Sequence, residues 1–329
     1  MEPILTLERV TVRSYLDVEA GNSLADDVLD GLTRPFKELP PKHFYDAVGA
    51  DLFDQICVLP EYYPTRVERE ILEQRSAEIA KLTGALELVE LGSGTAAKTR
   101  LLLDAMAAAG TLKRYVPFDV TEGMVRDVST AVAAEYPGLE VHGIVGDFER
   151  HLQHVPPAVG PRIVAFLGGT IGNFTPGSRR GFLRAMGELL GGGDHLLLGT
   201  DLVKEPAVLE AAYDDSAGIT AAFNRNLLRV LNRELDADFD ADAFDHVAFF
   251  DREHEWIEMR LRAQHRMVVP IRALDIEVTF EAREELRTEI SAKFTRERLA
   301  GDLAAAGLEL VALLTDPEQR FALTLARRG

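Results

Sequence analysis

The chain has 329 residues, 47% of them hydrophobic, and carries a formal net charge of −18 from 54 acidic against 36 basic residues. That is ample apolar material for one large or two smaller packed domains, while the acidic surplus argues against binding to nucleic acid or an anionic membrane, since neutralising phosphate needs clustered Lys and Arg. The single cysteine, Cys57, excludes an intrachain disulfide or thiolate metal cluster and reads as a small hydrophobe in a helix.

The opening MEPILTLERV lacks a basic flank followed by an apolar core. No run approaches the roughly 18 apolar residues of a membrane span, so the expected location is the cytoplasm. Residues 1–14 form a lead-in with some strand character, and Asp17 to Leu32 has a helical pattern stopped by Pro35 and Pro40-Pro41. An aromatic stretch, Lys42-His43-Phe44-Tyr45-Asp46, precedes a helix over Asp51 to Val58. In LPEYYPTR, Leu59 to Arg66, Pro64 favours an extended Tyr63. Thr65 with Glu68 reads as a capping box for a helix running to about Lys81. Tyr62 and Tyr63 then fall on a loop, in either a packing or a binding role.

Leu86 to Arg100, LELVELGSGTAAKTR, joins a buried strand (Leu86 to Leu91) to a helix (Ala96 to Met106) through Gly92 and Gly94. Backbone can approach a ligand closely at such a turn, which reads as a nucleotide-type cofactor site. Strand and helix then alternate. Tyr115 to Phe118 ends in Asp119, Leu139 to Val145 in Gly146-Asp147-Phe148, Arg162 to Leu167 in Gly168-Gly169-Thr170, and His195 to Thr200 in Asp201. Helices are expected over Gly123 to Tyr136 and Arg179 to Leu190. This is the βα repetition of an open parallel sheet, whose ligands bind at the carboxyl ends of the strands, and Glu90, Asp119, Asp147, Asn173 and Asp201 collect there.

The repetition then breaks. Leu209 to Leu235 is helical with an interruption near Ser216-Ala217-Gly218, and Asp240 to His246 reads as a short acidic helix. Trp256 to Val268, Asp275 to Phe280 and Glu285 to Phe294 alternate as antiparallel strands with one wet face do. A helix over Arg296 to Ala306 and a hairpin of Glu309 to Leu314 with Arg320 to Ala326 close the chain.

Gly92-x-Gly94-x-x-Ala97 is compatible with a dinucleotide fold, which normally adds one acid about 20 residues later. Three acids at three successive strand ends fit S-adenosylmethionine better. Asp119 can accept from both ribose hydroxyls, Asp147 from the adenine amino group, and Phe148 can flank the purine. Each acid alone also reads as a helix N-cap. Lys98 is either a solvated lysine or a partner for the methionine carboxylate. The expected fold is therefore α/β: a Rossmann-like class I methyltransferase sheet, mostly parallel with a C-terminal antiparallel hairpin, carrying an inserted α+β substrate-binding domain. Residues 62–201 and 290–329 form the cofactor part, and 15–61 and 202–289 the substrate part.

Long runs carry a more specific resemblance: PPKHFYDAVGADLFDQI (Pro40 to Ile56), LPEYYPTR, VELGSGT (Val89 to Thr95), PFDV (Pro117 to Val120), GDFE (Gly146 to Glu149), TIGNFTP (Thr170 to Pro176), LLLGTDLVK (Leu196 to Lys204), AYDD (Ala212 to Asp215), TAAFNRN (Thr220 to Asn226) and TEISAKF (Thr288 to Phe294). From about Asp17 to Ala326 the chain resembles the histidine Nα-methyltransferases, which make the betaine hercynine on the route to ergothioneine. The resemblance implies cofactor contacts from Glu90, Gly92, Gly94, Lys98, Asp119, Asp147 and Phe148, and histidine contacts from Tyr62, Gly168, Asn173, Tyr213, Met259, Glu289 and Ser291. Tyr62 and Asn173 stand nearest the chemistry: the Tyr62 and Tyr213 hydroxyls are expected to hold the substrate carboxylate and the Asn173 side chain to orient the amine. Glu289 and Ser291, two apart on one strand face, read as a solvent-facing pair without the resemblance. With it they address the two imidazole nitrogens. Departures are Gly169 for a frequent serine, Ala292 for a frequent cysteine, and Leu313-Leu314 for an aromatic pair.

His151-x-x-His154 precedes Pro156-Pro157 without a nearby third ligand, so no metal is expected. The expected partners are L-histidine and its mono- and dimethylated forms, with no nucleic acid and no membrane, and the expected state is a monomer. A different amino-acid or protein acceptor, or a non-catalytic SAM-binding regulator, are the competing readings.

Overall fold

The computed structural model describes residues 5–16 and 24–329. Two strands, β1 (Leu5–Leu7) and β2 (Val10–Ser14), precede α1 (Leu24–Leu32), the two-residue β3 (Lys37–Glu38), α2 (Ala47–Cys57) and α3 (Pro64–Thr83). The stretch Asp17 to Ser23 of the first expected helix lies outside the described residues. An alternating series follows: β4 (Glu87–Leu91), α4 (Arg100–Ala108), β5 (Arg114–Asp119), α5 (Glu122–Glu135), β6 (Glu140–Val145), the short α6 (Phe148–His151), β7 (Arg162–Phe166), α7 (Pro176–Leu189) and β8 (His195–Asp201). Then come α8 (Pro206–Tyr213), α9 (Ile219–Leu235), β9 (Phe244–Asp251), β10 (Trp256–Ala263), β11 (Met267–Ile271), β12 (Ile276–Phe280) and β13 (Glu285–Ala292). The chain ends with α10 (Arg296–Ala305), β14 (Leu308–Thr315) and β15 (Phe321–Arg328).

Among the described residues β1-β2-β6-β5-β4-β7-β8-β15-β14 form one nine-stranded sheet. Its centre is parallel because β4, β7 and β8 are buried on both faces, which only strands covered by crossover helices can be. β15 enters antiparallel between β8 and β14. This is the mostly parallel sheet with a terminal antiparallel hairpin expected of a class I methyltransferase. The lead-in contributes more than expected, since β2 lies parallel beside β6 and lengthens the main sheet. A second sheet, β3-β13-β10-β9, and a β11–β12 ribbon carry the inserted part. The division expected between residues 289 and 290 falls inside β13.

Local expectations fail in four places. The acidic helix over Asp240 to His246 is instead a 3₁₀ turn at Ala241–Ala243 followed by β9. Phe244 packs edge-on to Phe280 at 5.3 Å, and the aromatic and β-branched residues after it suit a strand better than the acids suit a helix. Trp256 to Val268 breaks into β10 and β11. The helix after the glycine turn starts at Arg100 rather than Ala96, because Ala96 sits at φ +53°. The Thr65–Glu68 capping box does not form: α3 begins at Pro64 with no side-chain cap, and Tyr63 is helical (φ −71°, ψ −26°) instead of extended. Glu68 turns into the protein.

Candidate active site

The cofactor side is built at the carboxyl ends of β4, β5 and β6. Gly92 and Gly94 adopt φ +70° and +48°, which a side chain would strain. A Cβ added at Gly92 would meet no protein atom within 4 Å, so the space over the turn is open. Gly94 N–H donates to one oxygen of Asp119 at 3.1 Å, and Thr121 N–H donates to the other at 3.0 Å. The last residue of β5 is thus fastened to the turn. Asp147 caps α6 through Glu149 N–H at 2.9 Å, which realises its N-cap reading without removing it from the strand end. Phe148 stands edge-on to Phe166 at 5.2 Å.

Glu90 lies in β4, two residues before Gly92. It is buried, and its two oxygens accept from the Thr99 hydroxyl and, at 2.5 Å, from the Tyr115 hydroxyl. Burial pushes its carboxyl up to about 7, the two hydroxyls working against that rise. These two bonds tie β4 to the segment after the glycine turn and to β5. Lys98, just before α4, is neither a freely solvated lysine nor a bare cation. It pairs with Glu68, whose side chain is fully buried and whose other oxygen accepts from Gly168 N–H at 2.8 Å. β8 leaves room for this carboxylate only because residue 199 is glycine, where a Cβ would lie 2.1 Å from Glu68 Oε1.

The acceptor side is assembled from four distant stretches. After β7, Gly168 and Gly169 turn the chain at φ +79° and +70°, which accounts for glycine at 169, into a 3₁₀ turn at Thr170–Asn173. That turn lies against β13: a Cβ on Gly172 would meet Ala292 O at 2.9 Å and Ser291 Oγ at 3.4 Å. The turn that ends in Asn173 is thereby packed against β13. Tyr213, at the end of α8, hydrogen-bonds Ser291 through their hydroxyls at 2.7 Å. Tyr62 presents its ring edge-on to Tyr213 at 6.2 Å. Burial first, then neighbouring Tyr213, raises the Tyr62 phenol far above its ordinary pKa, so it is a neutral donor. Met259 faces Glu289 across the β10–β13 pair, its side chain therefore on the same face. Glu289 has no hydrogen-bond partner among the described residues, and burial pushes its carboxyl up to about 7 against the pull of Lys293.

Beneath this pocket lies a polar cluster that sequence reasoning missed. Lys293, fully buried, reaches Tyr213 Oη at 3.0 Å, Ser291 Oγ at 2.9 Å and Asp201 Oδ2 at 2.9 Å. Asp201 also accepts from Tyr63 Oη at 2.8 Å and from Lys204 at 2.6 Å. Burial works to raise the Asp201 carboxyl, but Lys293 and Lys204 outweigh it and hold it low. Glu289, Ser291 and Lys293 continue one period of two, which puts the lysine on their face of the strand but does not name its partner Asp201. The His151/His154 pair is accounted for locally, His151 Nδ1 accepting from Asp147 N–H at 3.0 Å and His154 stacking on Tyr15 at 3.8 Å. No helix among the described residues is long and apolar enough to cross a membrane.

The geometry therefore sets an open, carboxylate-rimmed glycine turn next to a pocket of neutral hydroxyls, one amide and one partnerless carboxylate. Lys98, Glu68 and Gly168 N–H run between the two. A family model described as a histidine-specific methyltransferase, SAM-dependent, matches residues 24–328. A histidine N-alpha-methyltransferase of Mycolicibacterium smegmatis is 55% identical over 97% of this chain and 99% of that protein. Its namesake from Mycobacterium tuberculosis is 53% identical over 97% of this chain and 100% of that protein. Ergothioneine biosynthesis protein 1 of Neurospora crassa is 32% identical over 70% of this chain and 26% of its own length.

Proposed function

The chain belongs to the histidine-specific, SAM-dependent methyltransferase family, and on that premise we propose that it converts L-histidine to hercynine by three successive methyl transfers to the α-nitrogen, for ergothioneine biosynthesis. Nα-methylation of histidine is the activity its close relatives are named for, and dependence on S-adenosylmethionine is part of its family's description. The observation that carries the assignment to this pocket is the pairing of a partnerless carboxylate, Glu289, with the Ser291–Tyr213 hydroxyl pair on one strand face.

The open space over Gly92, with Asp119 and Asp147 at neighbouring strand ends and Phe148 beside them, fits S-adenosylmethionine. Asp119 would take the ribose hydroxyls, Asp147 the adenine amino group, and Lys98 with the Gly92–Gly94 turn the methionine end. Bound there, the co-substrate supplies an electrophilic methyl on a sulfonium. Each transfer needs a neutral amine, so the three together release three protons and three molecules of S-adenosylhomocysteine, and the protein's task is to aim the amine lone pair at that methyl and to exclude water. Tyr62 would hold the substrate carboxylate, and the Asn173 amide would orient the amine. Both groups are neutral, so neither adds a charge beside the sulfonium or the ammonium formed after each transfer. Glu289 would accept an imidazole N–H, Ser291 would serve the other ring nitrogen, and Met259 would pack on the ring. Residues 202–292, with the stretch up to Tyr62, act in this reading as the substrate-binding part.

The test is direct. Purified protein is incubated with S-adenosylmethionine and each of the 20 amino acids, and products are read by mass spectrometry. A trimethylated product from histidine is expected, and its absence overturns the proposal.

A further inference from the structure

Lys293 is a buried lysine whose three protons and three acceptors match one for one: Tyr213 Oη, Ser291 Oγ and Asp201 Oδ2, at 3.0, 2.9 and 2.9 Å. An ammonium donates and never accepts. Both hydroxyl oxygens therefore already receive a proton from Lys293. They also share a hydrogen bond of 2.7 Å, in which one hydroxyl donates to the other. Whichever way that bond runs, the receiving oxygen has both lone pairs occupied, and its own O–H has no acceptor among the described residues.

Resting on the reading of this pocket as the histidine site, we infer that Lys293 is a positioning residue that sets the pocket's hydrogen-bond polarity, making the Tyr213–Ser291 pair a donor toward the ligand. The ligand must then bring an acceptor to the one free O–H of the Tyr213–Ser291 pair and a donor to Glu289. A neutral imidazole meets both demands on one ring, and in only one of its two tautomers for a given ring orientation. Indole offers a donor alone, and phenyl or thienyl rings offer neither. Without the lysine, the two hydroxyls are free to reverse and accept. Lys293 thereby contributes to the choice of acceptor without touching it. Asp201, Tyr63 and Lys204 hold the ammonium in place from the sheet side.

Two experiments test this. In the parent protein loaded with S-adenosylhomocysteine, ¹⁵N-labelled histidine is expected to bind as a single neutral tautomer by NMR. A bound imidazolium or a mixture of tautomers overturns the inference. In Lys293→Met, histidine affinity is expected to fall about 10- to 100-fold, as loss of an oriented hydrogen bond does, while affinity for β-(2-thienyl)alanine stays within about threefold. A merely structural lysine would weaken both ligands alike, and that result, or no change in either, overturns the inference. Lys293→Met leaves Asp201 paired with Lys204 at 2.6 Å, so no charge is stranded, and if that variant does not fold the tautomer measurement on the parent protein still decides the inference. Ser291→Ala separates the two claims: unchanged histidine affinity there overturns the reading of the pocket itself, whereas a loss there with no change in Lys293→Met overturns only the role of the lysine.

Discussion

Replacing Glu289 by glutamine should make the free protein more stable and its grip on histidine weaker, with a pH dependence fixed by the carboxylate's surroundings. Burial without a hydrogen-bond partner lifts the group from its ordinary 4.5 to about 7, Lys293 only partly opposing the rise. Between those values the folded protein binds the proton more tightly than the unfolded chain, so this group's contribution to stability falls as pH rises from 4.5 toward 7 and stays low above it. At about 1.36 kcal/mol per unit, the accumulated penalty is about 1 kcal/mol at pH 5.5 and about 3 kcal/mol at pH 8. Glutamine keeps the shape and never ionises. Glu289→Gln should therefore melt about 4 to 6 °C above the parent at pH 8, and by much less at pH 5.5. Glu90, also lifted to about 7, is common to both proteins and cancels in the comparison. Histidine binding at pH 8 should weaken about 10- to 100-fold, because a charge-assisted bond to the ring becomes a neutral one. Thermal melts at the two pH values and titration calorimetry check both halves. A variant no more stable than the parent at pH 8, or equally stabilised at both values, would show that the carboxylate is not held without a partner, and the reasoning would fail.

Other outcomes follow from the same contacts. Tyr62→Phe removes a hydroxyl that has no partner among the described residues, so melting should be unchanged while histidine affinity drops about 5-fold or more; equal affinity by calorimetry refutes the carboxylate contact. Asp119→Asn has one acceptor oxygen, so it can keep Gly94 N–H but gives up the exposed bond from Thr121 N–H and loses its charge; S-adenosylhomocysteine should bind about 10-fold more weakly, with the melting temperature lowered only slightly. Gly199→Ala drives a methyl toward Glu68 Oε1, so stability should drop by about 2 kcal/mol or more in urea unfolding. The same variant should weaken co-substrate binding, since Lys98 and Gly168 lose their shared carboxylate; an unperturbed melt and unchanged binding would rule out that bridge.

The parallel sheet was legible because its strands are short apolar runs that end in Gly or Asp, a pattern set by burial on two faces and by tight turns. The late antiparallel part was legible from alternation, but Asp240 to His246 was not, because side-chain charge says little about a segment anchored by one aromatic, Phe244. Of the site, the open turn and the strand-end carboxylates of Asp119 and Asp147 could be read directly. For Glu90, nothing local says that Thr99 and Tyr115 donate to its two oxygens. Glu68 mimicked a capping residue three positions after Thr65, and its true partners lie 30 and 100 residues away. Lys293 at a strand end looks like a solvated lysine until Asp201, on another strand, is known to face it. Such pairings are set by tertiary approach, which spacing in one segment cannot encode.

The place of β15 bears on how the protein is made. Phe321–Arg328 is the last strand of the chain, yet it pairs on one side with β8 and on the other with β14. Until it is synthesised, β8 has a bare edge backed by the buried Leu196, Leu197 and Leu198, the type of edge that recruits other strands and aggregates. A chain halted before β15 keeps that edge bare, and synthesis through Arg328 closes it beside the strand whose end carries Asp201, the anchor of Lys293.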